Sequence, residues 1–183
     1  GFRRYRDLGP LEILTCCATH GYLPLLGRDS ACAAQLRTAV ATHRRHFGEA
    51  PRGIWLPECA YRPRYAWSPP VGARWAATMR KGVEELLAAH GLKFFIADTH
   101  LVRGGRAMGH YLARFDALRR LWSRFERDSG RPMDIERSPH RPYWVATEGK
   151  DGHDRDAVAV FARDPDSGVV VWSGEHGYPG DGA

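Results

Sequence analysis

Two kinds of apolar spacing alternate through residues 1 to 105. Continuous runs occur at Leu11 to Ala18, Gly53 to Tyr61 and Leu92 to Ala97. Each is short and bounded by Gly or Pro, which fits a strand buried on both faces of a parallel sheet. Between them lie stretches with apolar residues every three or four positions. Cys32, Leu36, Ala39, Val40, His43 and Phe47 predict a helix from Asp29 or Ser30, as its cap, to Phe47, with Gly48 as the stop. Ala76, Met79, Val83, Leu86 and Leu87 predict a second helix from Ala73 to His90, ended by Gly91. Residues 2 to 8 look like the last turns of another helix, closed by Gly9-Pro10, and residues 62 to 72, with three prolines, like a loop.

The order strand, helix, strand, helix, strand calls for a parallel sheet with right-handed crossovers. Beyond Arg103-Gly104-Gly105 the pattern weakens. Tyr111 to Arg127 has helical spacing, 128 to 156 reads as a surface excursion, and Val158 to Phe161 and Val169 to Trp172 read as strands joined by a turn at 164 to 168. Residues 174 to 183 form a glycine-rich tail. The 183 residues suffice for a single core, divided into a βαβαβ portion (1 to 105), an insertion-like helix and loop (106 to 156), and final strands and tail (157 to 183).

Each run of the first portion ends on groups that carry chemistry: His20 after the first, Glu58 after the second, Asp98 and His100 after the third. The C-terminal ends of adjacent parallel strands share one rim, where α/β proteins place ligands and catalytic groups. Glu58 lies between Trp55 and Tyr61, whose rings suit stacking on sugars, and paired carboxylates are what glycosidases use. The remaining tryptophans, Trp67, Trp75, Trp122, Trp144 and Trp172, read as core packing.

Other chemistries are less well supported. Cys17 and His20 are three apart and Cys59 adjoins Glu58, but a CxxH without a second matched pair is a poor zinc signature. Cys16 and Cys17 lie within a strand, where thiols serve as small hydrophobes rather than nucleophiles. No glycine-rich phosphate loop is present, and no metal or cofactor is called for. The net charge of +6 comes from 27 Lys and Arg against 21 Asp and Glu. The arginines are scattered in short groups, which fits solvated helix faces better than a nucleic-acid track. Cys16, Cys17, Cys32 and Cys59 lack a disulfide framework, and no run is long enough to span a membrane, so a cytoplasmic location is expected. The chain opens without Met, as if cut from something longer.

Leu11 through Leu26, followed by Trp55-Leu56-Pro57-Glu58-Cys59-Ala60-Tyr61, resembles glycoside hydrolase family 57, and within it the 1,4-α-glucan branching enzymes. Arg163-Asp164, Trp172-Ser173 and Gly177 to Asp181 resemble a later stretch of the same enzymes. The resemblance implies an α/β fold, a partial (β/α)7 barrel with parallel strands and a catalytic rim at the strand C-termini. It implies a retaining transglycosylase of glycogen-type glucan with Glu58 as nucleophile. His20 would bind the sugar at the cleavage subsite and Trp55 would stack on it or shape the pocket, while Tyr61 beside Glu58 and His100 on the rim are the further substrate-binding candidates. The partners implied are α-glucan and the N- and C-terminal parts of the same enzyme, with neither nucleic acid nor membrane. The family's first histidine motif would precede residue 1 and its general-acid aspartate would follow residue 183, so the chain alone is expected to be inactive. The alternatives are a family 57 amylase or 4-α-glucanotransferase, and a non-catalytic carbohydrate-binding module.

Overall fold

The structure, a computed structural model, describes residues 1–68, 77–103, 137–145 and 157–172. The chain divides into two compact units, Gly1–Ala97 with Pro142–Phe161 and Asp98–Arg141 with Ala162–Ala183.

The first unit is built on a mostly parallel sheet. Among the described residues its strands are β1 (Thr15–Cys16), β2 (Gly53–Trp55), β5 (Phe94–Ala97), β7 (Ala159–Ala162) and β6 (Tyr143–Trp144), in that spatial order. β1 runs parallel to β2 with Thr15 opposite Ile54 and Cys16 opposite Trp55. β2 runs parallel to β5 with Gly53 opposite Phe94 and Trp55 opposite Ile96. β6 joins β7 antiparallel, with Tyr143 opposite Val160. The strand runs are therefore where the apolar pattern puts them, but shorter. The first ends at Cys16 because the chain turns at once, His20 N–H donating to the Cys17 carbonyl at 3.0 Å.

Helix α1 (Phe2–Asp7) precedes β1, and α2 (Asp29–Phe47) connects β1 to β2. α2 buries Cys32, Leu36, Ala39, Val40 and His43 on one stripe. It stops at Gly48, which takes a φ of 86° and donates its N–H to the Arg44 carbonyl. Its N-cap is Arg28, with no side-chain cap, because the Asp29 carboxylate is turned to Arg80 instead. The core lies between α2, the sheet and α3 (Val83–Ala89), with Leu23, Leu36, Ile54, Leu56, Leu87, Leu92 and Phe95 almost wholly buried.

Several expectations are overturned, the cap of α2 at Asp29 or Ser30 among them. The region read as a loop followed by a helix from Ala73 contains a hairpin, β3 (Tyr65–Trp67) antiparallel to β4 (Thr78–Arg80), so the helix begins only at Val83. Gly82 is its N-cap, the Glu85 carboxylate receives the Gly82 N–H at 2.9 Å, and Met79 is exposed rather than in the core. The stretch from Val169 to Trp172 belongs to helix α5 (Pro165–Trp172) instead of a strand. Asp164 caps it by accepting the Ser167 N–H at 2.7 Å, and Pro165 occupies the first helical position. Within the supposed surface excursion, Tyr143 and Trp144 form strand β6. The expected helix at 111 to 127, the tail, Trp75 and Trp122 lie outside the described residues. Trp144 is exposed, contrary to a core role.

In the second unit, α4 (Thr99–Arg103) begins directly after β5. The Asp98 carboxylate pairs with Arg163 at 2.8 Å, and the Thr99 hydroxyl donates to the Arg163 carbonyl.

Candidate active site

Glu58 leaves β2 on a strained turn. Leu56 and Pro57 are buried, after which Glu58 (φ 57°) and Cys59 (φ 53°) both take left-handed backbone. The Cys59 N–H donates to the Leu56 carbonyl at 2.9 Å and the Ala60 N–H to the Pro57 carbonyl at 3.1 Å. Two overlapping turns thus form. The first has Pro at its second position and positive φ at its third; the second has positive φ at both central positions. Cys59 is buried on the far side of Glu58, so the carboxylate is held out between two anchored neighbours, its side chain 71% exposed. Left-handed backbone outside glycine marks functional sites when the surroundings enforce it.

His20 is presented in the same way from β1. It too has positive φ, 54°, at the end of the turn begun by Cys17. Gln35 of α2 fixes that turn twice, accepting the Thr19 N–H at 2.9 Å and donating to the Thr19 hydroxyl at 2.8 Å. Because β1 and β2 are adjacent and parallel, the two side chains meet: His20 Nε2 lies 3.3 Å from Glu58 Oε1. The other ring nitrogen, Nδ1, lies 3.3 Å from the Cys16 sulfur. Burial raises the Cys16 thiol above its ordinary range, against a smaller lowering by the Cys17 backbone, so it remains protonated at neutral pH. Cys17 is pushed further, to about 12, by burial first and then by the neighbouring thiols.

Trp55 is half-buried on β2, opposite Cys16 and Ile96. Tyr61 is turned toward the core, its ring stacked on Phe95 at 5.4 Å and its hydroxyl donating to Glu84 Oε2 at 3.0 Å. Burial raises the pKa of Glu84, although its own backbone N–H and the Tyr61 hydroxyl oppose the shift. His100 is half-buried on α4, in the second unit.

A buried arginine pair joins the two loops from behind. Asp29 receives Arg80 Nε at 2.6 Å and the Lys81 N–H at 3.1 Å, with Arg62 Nη2 at 3.5 Å. Arg80 also donates to the Leu26 carbonyl in the loop after His20, and Arg62, four residues past Glu58, to the Lys81 carbonyl. Their guanidinium groups lie over hairpin rings, Arg62 on Tyr65 and Arg80 on Trp67. Sequence spacing did not point to Cys16, Gln35 or this pair. Gln35 is a polar residue beside the apolar stripe of α2 with no motif to mark it, and the arginines were indistinguishable from surface charge. Among the described residues no group of three or more His, Cys, Asp or Glu side chains is arranged to hold a metal ion.

A parallel α/β sheet offering a carboxylate and an imidazole from neighbouring strand ends defines an α/β protein of the kind that acts on ligands at its strand C-termini. Residues 1–167 match the sequence profile of glycosyl hydrolase family 57, and the chain belongs to that family. Over 98% of its length it is 42% identical to a 1,4-alpha-glucan branching enzyme from Thermococcus kodakarensis. It covers 22% of that relative, about a fifth of its length. The crystal structure of that enzyme, in complex with glucose and additives, superposes with a TM-score of 0.69 at 39% identity, over 98% of this chain and 28% of the other. The branching enzyme from Pyrococcus horikoshii gives 0.69 at 38% identity, over 98% of this chain and 26% of the other. An alpha-amylase from Thermotoga maritima gives 0.59 at 29% identity, over 98% of this chain and 25% of the other.

Proposed function

We propose that the chain is the nucleophile-bearing part of a retaining α-glucan branching enzyme built on a (β/α)7 barrel, and that Glu58 is the nucleophile. The observation that carries this reading is the 3.3 Å contact between His20 and Glu58 at adjacent strand ends, in a chain whose relatives include two branching enzymes. A Glu58 oxygen attacks the anomeric carbon of an α-1,4-linked glucose. The bond to the leaving O4 breaks with its electron pair, and O4 takes a proton from a general acid. A glucan hydroxyl at carbon six then attacks the glycosyl ester, loses its proton to the same group acting as base, and frees the Glu58 carboxylate with an α-1,6 branch formed. His20 and Trp55 serve sugar binding. The acid is the aspartate that the family resemblance places on a later strand, so these 183 residues alone do not turn over amylose. None of the four cysteines is in a disulfide, the state a reducing cytoplasm maintains.

An α-maltosyl fluoride tests the nucleophile, because fluoride leaves without needing a proton. Mass spectrometry of the digested protein is expected to find one maltosyl group on Glu58, absent in Glu58→Gln. A label elsewhere, or none, overturns the assignment. The likeness to an alpha-amylase supports a second reading, hydrolysis, in which water replaces the hydroxyl acceptor. New α-1,6 linkages in amylose treated with the enzyme containing this chain decide for branching.

A further inference from the structure

We propose that Cys16 is a positioning residue for the nucleophile, acting through His20. Cys16, His20 and Glu58 form a line in which one imidazole bridges a thiol and a carboxylate, at 3.3 Å on each side. In a neutral imidazole one nitrogen carries hydrogen and the other accepts, so the partner of Nδ1 decides what Nε2 offers to Glu58. A protonated thiol is a donor. Its S–H directed at Nδ1 leaves the hydrogen on Nε2, which donates to Glu58 Oε1. One carboxylate oxygen is thereby held and charge-stabilised, and Oε2 is left as the attacking atom.

The opposite tautomer would set an Nε2 lone pair against a carboxylate oxygen, a repulsive contact with nothing to orient the nucleophile. The backbone leaves His20 little freedom to escape this arrangement. Its positive φ, the turn bond to Cys17 and the double clamp from Gln35 fix where the ring starts. The thiol fixes how the ring ends. Cys16 is the residue on β1 able to do so because it is level with Trp55 on β2, on the same short stretch of sheet from which both turns depart.

This inference rests on Glu58 being the nucleophile, yet its central claim has a readout of its own. Long-range proton–nitrogen NMR of the 15N-labelled chain at about pH 8, above the ordinary imidazole range, reports the tautomer of each neutral histidine. His20→Gln identifies the His20 signals. The expected result is hydrogen on Nε2 of His20 in the wild type and in Cys16→Ser, whose hydroxyl also donates, and a shift toward hydrogen on Nδ1 in Cys16→Ala. An unchanged tautomer in Cys16→Ala overturns the proposal, and folding of each variant is checked by its thermal transition. Maltosylation of Glu58 is expected to slow on the order of tenfold in Cys16→Ala, the rate equivalent of one hydrogen bond, and to recover in Cys16→Ser. Equal rates in all three proteins also overturn the proposal. Absence of label even in the wild type strikes instead at the nucleophile assignment, and the tautomer result then decides the role of Cys16 by itself.

Discussion

A left-handed backbone costs a residue other than glycine about 1 kcal/mol, and Glu58 and Cys59 bear it in succession. The strain persists because Leu56 and Cys59 are locked in the core on either side. Glu58→Gly is therefore expected to raise stability by up to about 1 kcal/mol, seen as a higher denaturant midpoint, while eliminating the glycosyl label. An unchanged or lower midpoint would show that the turn is unstrained. Gln35 offers the converse case. Gln35→Ala removes both bonds to Thr19 and is expected to cost roughly 1 to 2 kcal/mol and to slow labelling of Glu58, since His20 loses its fixed starting point. Retention of the wild-type rate would show that the turn holds itself.

Among the elements, β2 and β5 are joined at a point that tolerates no side chain. A Cβ on Gly53 would lie 2.2 Å from the ring of Phe94, its register partner. Gly53→Ala is expected to destabilise by about 1 to 3 kcal/mol through overpacking, and Phe94→Leu in the same chain to recover much of the loss. A double-mutant cycle measures that coupling, and simple additivity would refute it. This scale also shows what the sequence made legible. β1, α2, β2 and β5 were readable from their apolar runs and helical spacing, and His20 and Glu58 were readable because they follow the ends of such runs. α5 was misread because Val169 to Val171 have strand propensity, while Asp164-Pro165 and Ser167 spell a helix start that overrides it. The β3–β4 hairpin was missed because Arg80 is held by Asp29, a contact 51 residues away in the chain that local spacing cannot encode. Cys16 was missed because a thiol in a strand ordinarily packs, and only three-dimensional neighbours show it facing an imidazole.

For the molecule as a whole, pH reveals opposing contributions. Burial is the largest influence on Asp29 and pushes its pKa up, but the donors from Arg80 and Lys81 and the charges of Arg80 and Arg62 outweigh it, so the net shift is down. Its stabilisation is present above the unfolded value near pH 4 and is lost as pH falls through the folded value. Asp29→Asn leaves two buried guanidiniums without their anion, and is expected to cost about 3 kcal/mol at pH 7, with the difference vanishing in strong acid. Glu84 runs the other way, because burial raises it. Its favourable contribution is complete below about pH 4 and declines as pH rises through the folded value. Glu84→Gln is therefore expected to melt higher than wild type at pH 7 and equally near pH 4; melting curves across that range check both signs. The pairing of β1 with β2 has a kinetic corollary. A slip of one residue would move His20 by about 3.3 Å and turn Cys16 to the opposite face of the sheet, separating all three members of the line. The fraction of molecules that maltosyl fluoride labels after refolding therefore counts those whose first two strands zipped in correct alignment, so the nucleophile doubles as a gauge of folding fidelity.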